Sequence, residues 1–144
     1  MSSEAINKTG IQKGFLLAMA YNLQILIFSK GFSNNLGDID PLFDSAGCVC
    51  IFLWGLAYGS VADRYYLVPA ANAVFALEKL FFGHRWMVWI LDNHKRLPIM
   101  LETDSLTGLF FAVYGIGDLL SMILFVYAAW ISRENLFQIK SKRE

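Results

Sequence analysis

Charge is what this sequence has least of. Asp, Glu, Lys and Arg make up 17% of its 144 residues, where a water-soluble domain carries about 25%. An ordinary soluble domain is excluded, because too little polar surface remains to cover a core. An integral membrane protein is left, provided the apolar residues fall in runs able to cross about 30 Å of hydrocarbon. The net charge is zero, so there is no basic footprint for nucleic acid. Cysteine is scarce too: Cys48 and Cys50 are too few for a disulfide scaffold or a cysteine zinc site. Two residues apart on a helix they point about 200° away from each other, which reads as two packing cysteines rather than a redox pair. The two histidines, His84 and His94, sit together near the end of one apolar run. A haem inside a bundle takes its ligands from facing helices. Asp38, Asp40 and Asp44 lack the spacing, glycine and glutamate of an EF-hand and read as a solvated acidic loop. No phosphate-binding loop, Ser-His-Asp arrangement or zinc motif occurs. No metal and no cofactor is expected.

What is present is apolar: 56% hydrophobic residues, with aromatics at 15% of the chain. They fall in four runs, about 11–29, 46–62, 67–90 and 106–131. Each is close to, or longer than, the length a helix needs to span a bilayer. Open chain is not tolerated in lipid, so the expected fold is all-α, a four-helix transmembrane bundle forming one domain. Asn22 and Gln24 interrupt the first run and no small-residue cleavage site follows it, so it reads as a span and not a signal peptide. Asp44 and Ser45 stand where the second helix needs an N-cap. Pro69 falls in the first turn of the third, where a missing N–H is harmless.

The basic residues give an orientation. With both termini on one side, that side holds Lys8, Lys13, Arg64, Arg133, Lys140, Lys142 and Arg143, and the other holds Lys30, Arg85, Lys95 and Arg96. The positive-inside rule then places the N-terminus and the C-terminus in the cytoplasm, where the Asn7-Lys8-Thr9 sequon is not glycosylated. Trp86 and Trp89 outside, and Tyr65, Tyr66, Tyr127 and Trp130 inside, are expected at the headgroup level. The turn at 63–66 is short enough to pair the second and third helices antiparallel. In the outer loop at 30–45, Phe32, Leu36, Ile39, Leu42 and Phe43 are expected to rest on the bilayer surface.

Polar side chains concentrate near the middle of each run: Asn22 in the first, Trp54 and Tyr58 in the second, Glu78 and Lys79 in the third, Tyr114 and Asp118 in the fourth. A charge at the centre of a membrane helix costs roughly 2.5–3.5 kcal/mol, so such groups pair or face a cavity. Glu78 and Lys79 are adjacent, hence about 100° apart on their helix, and cannot address the same neighbour. The simplest arrangement sets Lys79 against Asp118 and turns Glu78 toward Asn22, Tyr58 or a pocket, leaving one carboxylate more than the single cation can neutralise. Asn22, Trp54, Tyr58, Glu78, Lys79 and Asp118 are the candidate binding residues. Equally, they are candidates for interhelical hydrogen bonds that only hold the bundle together. Gly55-xxx-Gly59 and Gly108-xxx-Ala112 offer close-approach faces, within the bundle or toward a second copy.

Across most of its length the chain resembles the small four-span bacterial membrane proteins of the DoxX-like kind. The resemblance is carried by Tyr21-Asn22, by Leu36-Gly37 with Pro41, by Gly55 with Tyr58, by Glu78-Lys79 and by Gly117-Asp118-Leu119. It implies a bacterial inner-membrane location and an accessory role beside quinone-linked redox complexes, and it brings no catalytic motif. The leading expectation is a small membrane subunit or interaction protein that is not an enzyme. It would be surrounded by membrane lipids, assembled as a homo-oligomer or in a larger membrane complex, and would hold a lipid-like or quinone-like molecule at its polar layer. Two rivals stay open. One is a sterol or isoprenoid isomerase using Glu78 and Asp118 as acid and base; the other is a proton- or cation-coupled transporter in which Glu78 is the coupling group.

Overall fold

In the computed structural model, residues 3–33 and 36–134 are described, with side chains from Lys8 onward. Lys140, Lys142 and Arg143, and the side chain of Asn7 in the sequon, lie outside them. The described residues form helices and turns, with no strand among them. The elements are α1 (Ser3–Leu23), α2 (Ile25–Phe28), α3 (Leu36–Ile39), α4 (Ser45–Val61), α5 (Pro69–Asn93), α6 (Leu97–Thr103) and α7 (Ser105–Ser132). Two helical stretches, Lys8–Phe28 and Ser105–Ser132, are long and apolar enough to cross a membrane. That points weakly to a membrane protein. Helix α4 is apolar but has 17 residues, and α5 carries Glu78 and Lys79 at its middle.

Caps explain several boundaries. Asp44 accepts the Gly47 amide at 2.7 Å and starts α4, and Pro69 opens α5. Asp104 starts α7 by accepting the Thr107 amide at 3.2 Å and its hydroxyl at 2.8 Å. That hydroxyl, and then the amide, holds the Asp104 carboxyl below the usual carboxylate range. After α2 the chain reverses through Lys30, Gly31 and Phe32, all at positive φ, a conformation that favours glycine at the middle position.

Helix pairing follows side-chain size. Helix α5 packs along α7, and α1 along α4. Small residues permit both approaches: Gly55 lies against Asn22 and the Met19 carbonyl, Gly59 against Met19, Gly83 against Leu119, and Gly115 beneath the Trp86 ring. The glycine faces are thus used inside the bundle. Helices α4 and α5, expected as the close pair because their turn is short, instead meet through bulky groups, with the Tyr58 and Phe75 ring centres 5.0 Å apart. Rings of that size hold the two backbones apart.

Two apolar clusters fill the bundle. One includes Ile11, Phe15, Tyr58, Tyr65, Phe125 and Ala128, so the start of α1, the turn before α5 and the end of α7 share one end. The other includes Ile25, Phe43, Cys48, Trp89, Phe111 and Tyr114. The expectation that the outer loop rests on the surface is corrected here. Leu36 and Phe43 are buried in the second cluster rather than resting outside. Trp86 donates to the Phe111 carbonyl at 3.0 Å, Trp89 stacks on Phe111 at 4.5 Å, and Tyr65 stacks on Phe15. Each gains more contact inside the bundle than a surface ring would. Cys48 is buried, whereas Cys50 is exposed and does not pack. Asp40, expected in water, is buried and pairs with Arg85 at 3.2 Å.

Candidate functional site

Between the two apolar clusters lies a polar one, and four helices contribute to it. Asn22 comes from α1 just before the break at Gln24, Tyr58 from α4, Glu78 and Lys79 from α5, and Asp118 from α7. Lys79 is 1% exposed. Its ammonium donates to Asp118 Oδ1 at 2.5 Å and to Asn22 Oδ1 at 2.6 Å. Asn22 is oriented for this, because its amide nitrogen donates to the Ile51 carbonyl of α4 at 3.0 Å. Glu78 faces a different neighbour, as the 100° offset requires: Tyr58 donates its hydroxyl to Glu78 Oε2, and that oxygen is 3.9 Å from the Lys79 nitrogen. The ammonium also lies 5.3 Å from the Tyr58 ring centre, within cation–π range.

The electrostatics follow from this geometry. Lys79 and Asp118 neutralise each other at contact distance, and breaking such a buried pair leaves a charge without compensation. Glu78 is the surplus carboxylate; its side chain is 8% exposed. Chemically, the cluster ties α1, α5 and α7 through one cation and joins α4 through Asn22 and Tyr58. Among the described residues there is no group of three or more metal-ligating side chains.

A cavity of about 60 Å³ adjoins the cluster on the side away from the chain ends. Its polar lining is Tyr21, Asn22, Gln24, Glu78, Lys79, Tyr114 and Asp118, and its rings are Phe28, Phe43, Phe82 and Phe110. At roughly 10–15 Å³ for each water-sized occupant, it holds a few small molecules and nothing as large as a sterol or a quinone ring. A larger groove of about 530 Å³ runs outside, between α5 and α7. Its walls include Ala70, Ala73, Leu80, Met122 and Val126, and Arg133 stands at its end.

Of the candidate residues, Asn22, Tyr58, Glu78, Lys79 and Asp118 are brought into one connected group. Trp54 is not: its ring stacks on Tyr58 and meets Phe75 edge-on at 6.1 Å, and it does not line the cavity. Tyr21 was absent from that set. Its hydroxyl donates to the Tyr114 carbonyl at 2.6 Å, and its ring covers Gly117. The available signal was Gly117 beside Asp118, a position where α7 accepts a ring against its backbone. Phe43 and the Asp40–Arg85 pair were also missed. Phe43 lines the cavity, edge-on to Phe110 and Tyr114 at 5.0 and 4.9 Å, and Asp40 and Arg85 pair at 3.2 Å outside its lining.

Comparison with models of known families, with curated proteins and with solved structures finds no significant match to this chain.

Proposed function

We propose that the chain is a multi-pass membrane protein in which α1 with α2, α4, α5 and α7 cross the bilayer, and that it works as a small membrane subunit or interaction protein. One observation carries this reading: polarity is inverted. Lys79 is 1% exposed while Leu17 is 71% and Leu120 64% exposed. Helix α7 presents Leu109, Val113, Ile116, Leu120 and Ile123 outward, while its buried face carries Tyr114, Asp118 and Ser121 among its rings. A helix whose outer face is this apolar belongs against protein or in lipid, and among the described residues no protein covers that face. In water this surface would be an aggregation hazard; in a bilayer it needs no cover.

In this reading both termini are cytoplasmic, following the distribution of basic residues, and the location is a bacterial inner membrane, following the resemblance to DoxX-like proteins. The polar layer serves assembly: Lys79 satisfies acceptors on two other helices, as buried polar groups in membrane bundles do. A lipid-like or quinone-like molecule matches the outer groove in size and not the polar cavity. The same groove, with its alanines, suits a helix of a partner subunit or of a second copy.

Three measurements on one expressed protein test the proposal. It should stay with membranes after carbonate washing, and reporters fused at 63–66 and at the C-terminus should both read cytoplasmic. In mild detergent its mass should exceed that of one chain, or include bound lipid. Release by carbonate, opposite reporter signals, or a monodisperse monomer without lipid each overturns the corresponding part.

A further inference from the structure

We propose that the cavity beside Glu78 and Tyr114 is a binding site for one small hydrogen-bond-donating monocation, of the size of ammonium or methylammonium. The inference goes beyond the assembly role and depends on the bundle interior alone, not on how the chain crosses a bilayer.

Two residues that line this cavity each carry a buried polar atom without a partner. Glu78 Oε1 and the Tyr114 hydroxyl are both buried and make no hydrogen bond among the described residues. The Glu78 side chain is 8% exposed and Tyr114 is 4% exposed, and both residues line the same space. Buried polar groups are rarely left in this state, and an exception calls for an explanation.

Charge decides what the occupant is. Glu78, Lys79 and Asp118 line the cavity, and with both carboxyls ionised they sum to one negative charge. The nearest further charges, Arg85 and Asp40, neutralise each other across 3.2 Å outside its lining. A neutral occupant such as water would satisfy the two atoms and leave the surplus carboxylate uncompensated in a low-dielectric interior. A monocation does both. Phe28, Phe43, Phe82 and Phe110 line the rest of the space, and aromatic rings are compatible with a cation. The donor set does not suit calcium, which takes six to eight oxygens where two unpartnered ones are on offer. Ammonium brings its own donors, so Glu78 Oε1 and the Tyr114 oxygen can each accept one. The space, about 60 Å³, admits ammonium or methylammonium and excludes tetramethylammonium and choline.

The test is calorimetric titration of the purified full chain in detergent micelles with ammonium chloride, the ionic strength being held constant with choline chloride. Saturable binding of one ammonium per chain is expected, with a matching rise in the thermal unfolding midpoint. Methylammonium should bind, and tetramethylammonium should not. Glu78→Gln should weaken binding about tenfold or more, because an amide oxygen still accepts but the charge that strengthens the bond is lost. Tyr114→Phe should weaken it several-fold while leaving the helical circular dichroism intact. Should Glu78→Gln fail to fold, Tyr114→Phe decides alone. Absence of saturable ammonium binding overturns the proposal. So does potassium binding as tightly as ammonium, or unchanged affinity in every folded variant.

Discussion

The ammonium of Lys79 stands 2.5 Å from Oδ1 of Asp118 although 39 residues of chain separate them. No local feature of either helix holds them there; α5 and α7 must be in register for the contact to exist. Lys79→Met leaves Glu78 and Asp118 buried without a cation and is expected to destabilise by about 3–5 kcal/mol. Lys79→Met combined with Asp118→Leu should lose markedly less than the sum of the two single changes. Reversible unfolding in mixed micelles reads all three. Strictly additive losses would mean that the two side chains are not coupled.

Tyr58 donates the one hydrogen bond that Glu78 receives among the described residues. Tyr58→Phe keeps the ring and its contacts with Phe75 and Phe125 but leaves the carboxylate without a donor. A loss of about 1–3 kcal/mol is expected. In a Glu78→Gln background the same change should matter less, which a double-mutant cycle on unfolding midpoints would measure.

Glycine has opposite consequences at two positions. A Cβ on Gly55 would lie 2.9 Å from the Asn22 Cβ and 3.2 Å from the Met19 carbonyl oxygen, whereas one on Gly10 meets nothing within 4 Å. Gly55→Ala should therefore push α1 from α4, draw Asn22 off Lys79 and cost about 1–3 kcal/mol. Gly10→Ala should stabilise α1 by about 0.5–1 kcal/mol. Thermal midpoints of the two variants should move in opposite directions.

Arg85 is the cation facing the buried Asp40 carboxylate, which in turn accepts the Leu42 amide at 3.0 Å. Arg85→Ala strands that carboxylate, and the segment carrying Phe43 should loosen. Faster hydrogen exchange at 40–44, with α1 and α7 unchanged, is the expected signature. Phe43→Ala removes the ring itself and should cost about 3–5 kcal/mol.

The Asp104 cap gives a pH dependence of known sign. Its carboxyl is held below the ordinary value by the Thr107 hydroxyl and amide. The stabilisation is therefore present above the unfolded value of about 3.9 and is lost as pH falls through the lower folded value. Asp104→Asn still caps but does not titrate. The stability difference between wild type and variant should shrink or reverse in acid, and acid unfolding curves of the two proteins check it.

Helix positions were readable because length and hydropathy are local. The run at 46–62 became α4 at Ser45–Val61, the run at 106–131 became α7 at Ser105–Ser132, and Asp44 and Pro69 marked starts that the backbone uses. The Lys79–Asp118 contact was legible from helix phase together with the penalty on a lone buried charge. Neighbours were harder to read. Whether Phe43 rests outside or plugs the bundle depends on Arg85, whose guanidinium finds Asp40 from 45 positions away. The turn at 63–66 suggested that α4 and α5 pack closely, but glycines placed elsewhere chose the pairs. Helix α6 was hidden in a mixed-charge stretch, and its Met100 and Leu101 backbone lies against Gly108, a fit that neither segment displays alone.

The division of partners between α5 and α7 also bears on how such a chain is made. In a bilayer each mid-helix charge of α5 is penalised by a few kcal/mol on its own, and the group that relieves Lys79 leaves the ribosome 39 residues later. On the proposed multi-pass reading, residues 69–93 are therefore expected to insert less readily alone than with 105–132, so that the two segments enter the membrane as one hairpin.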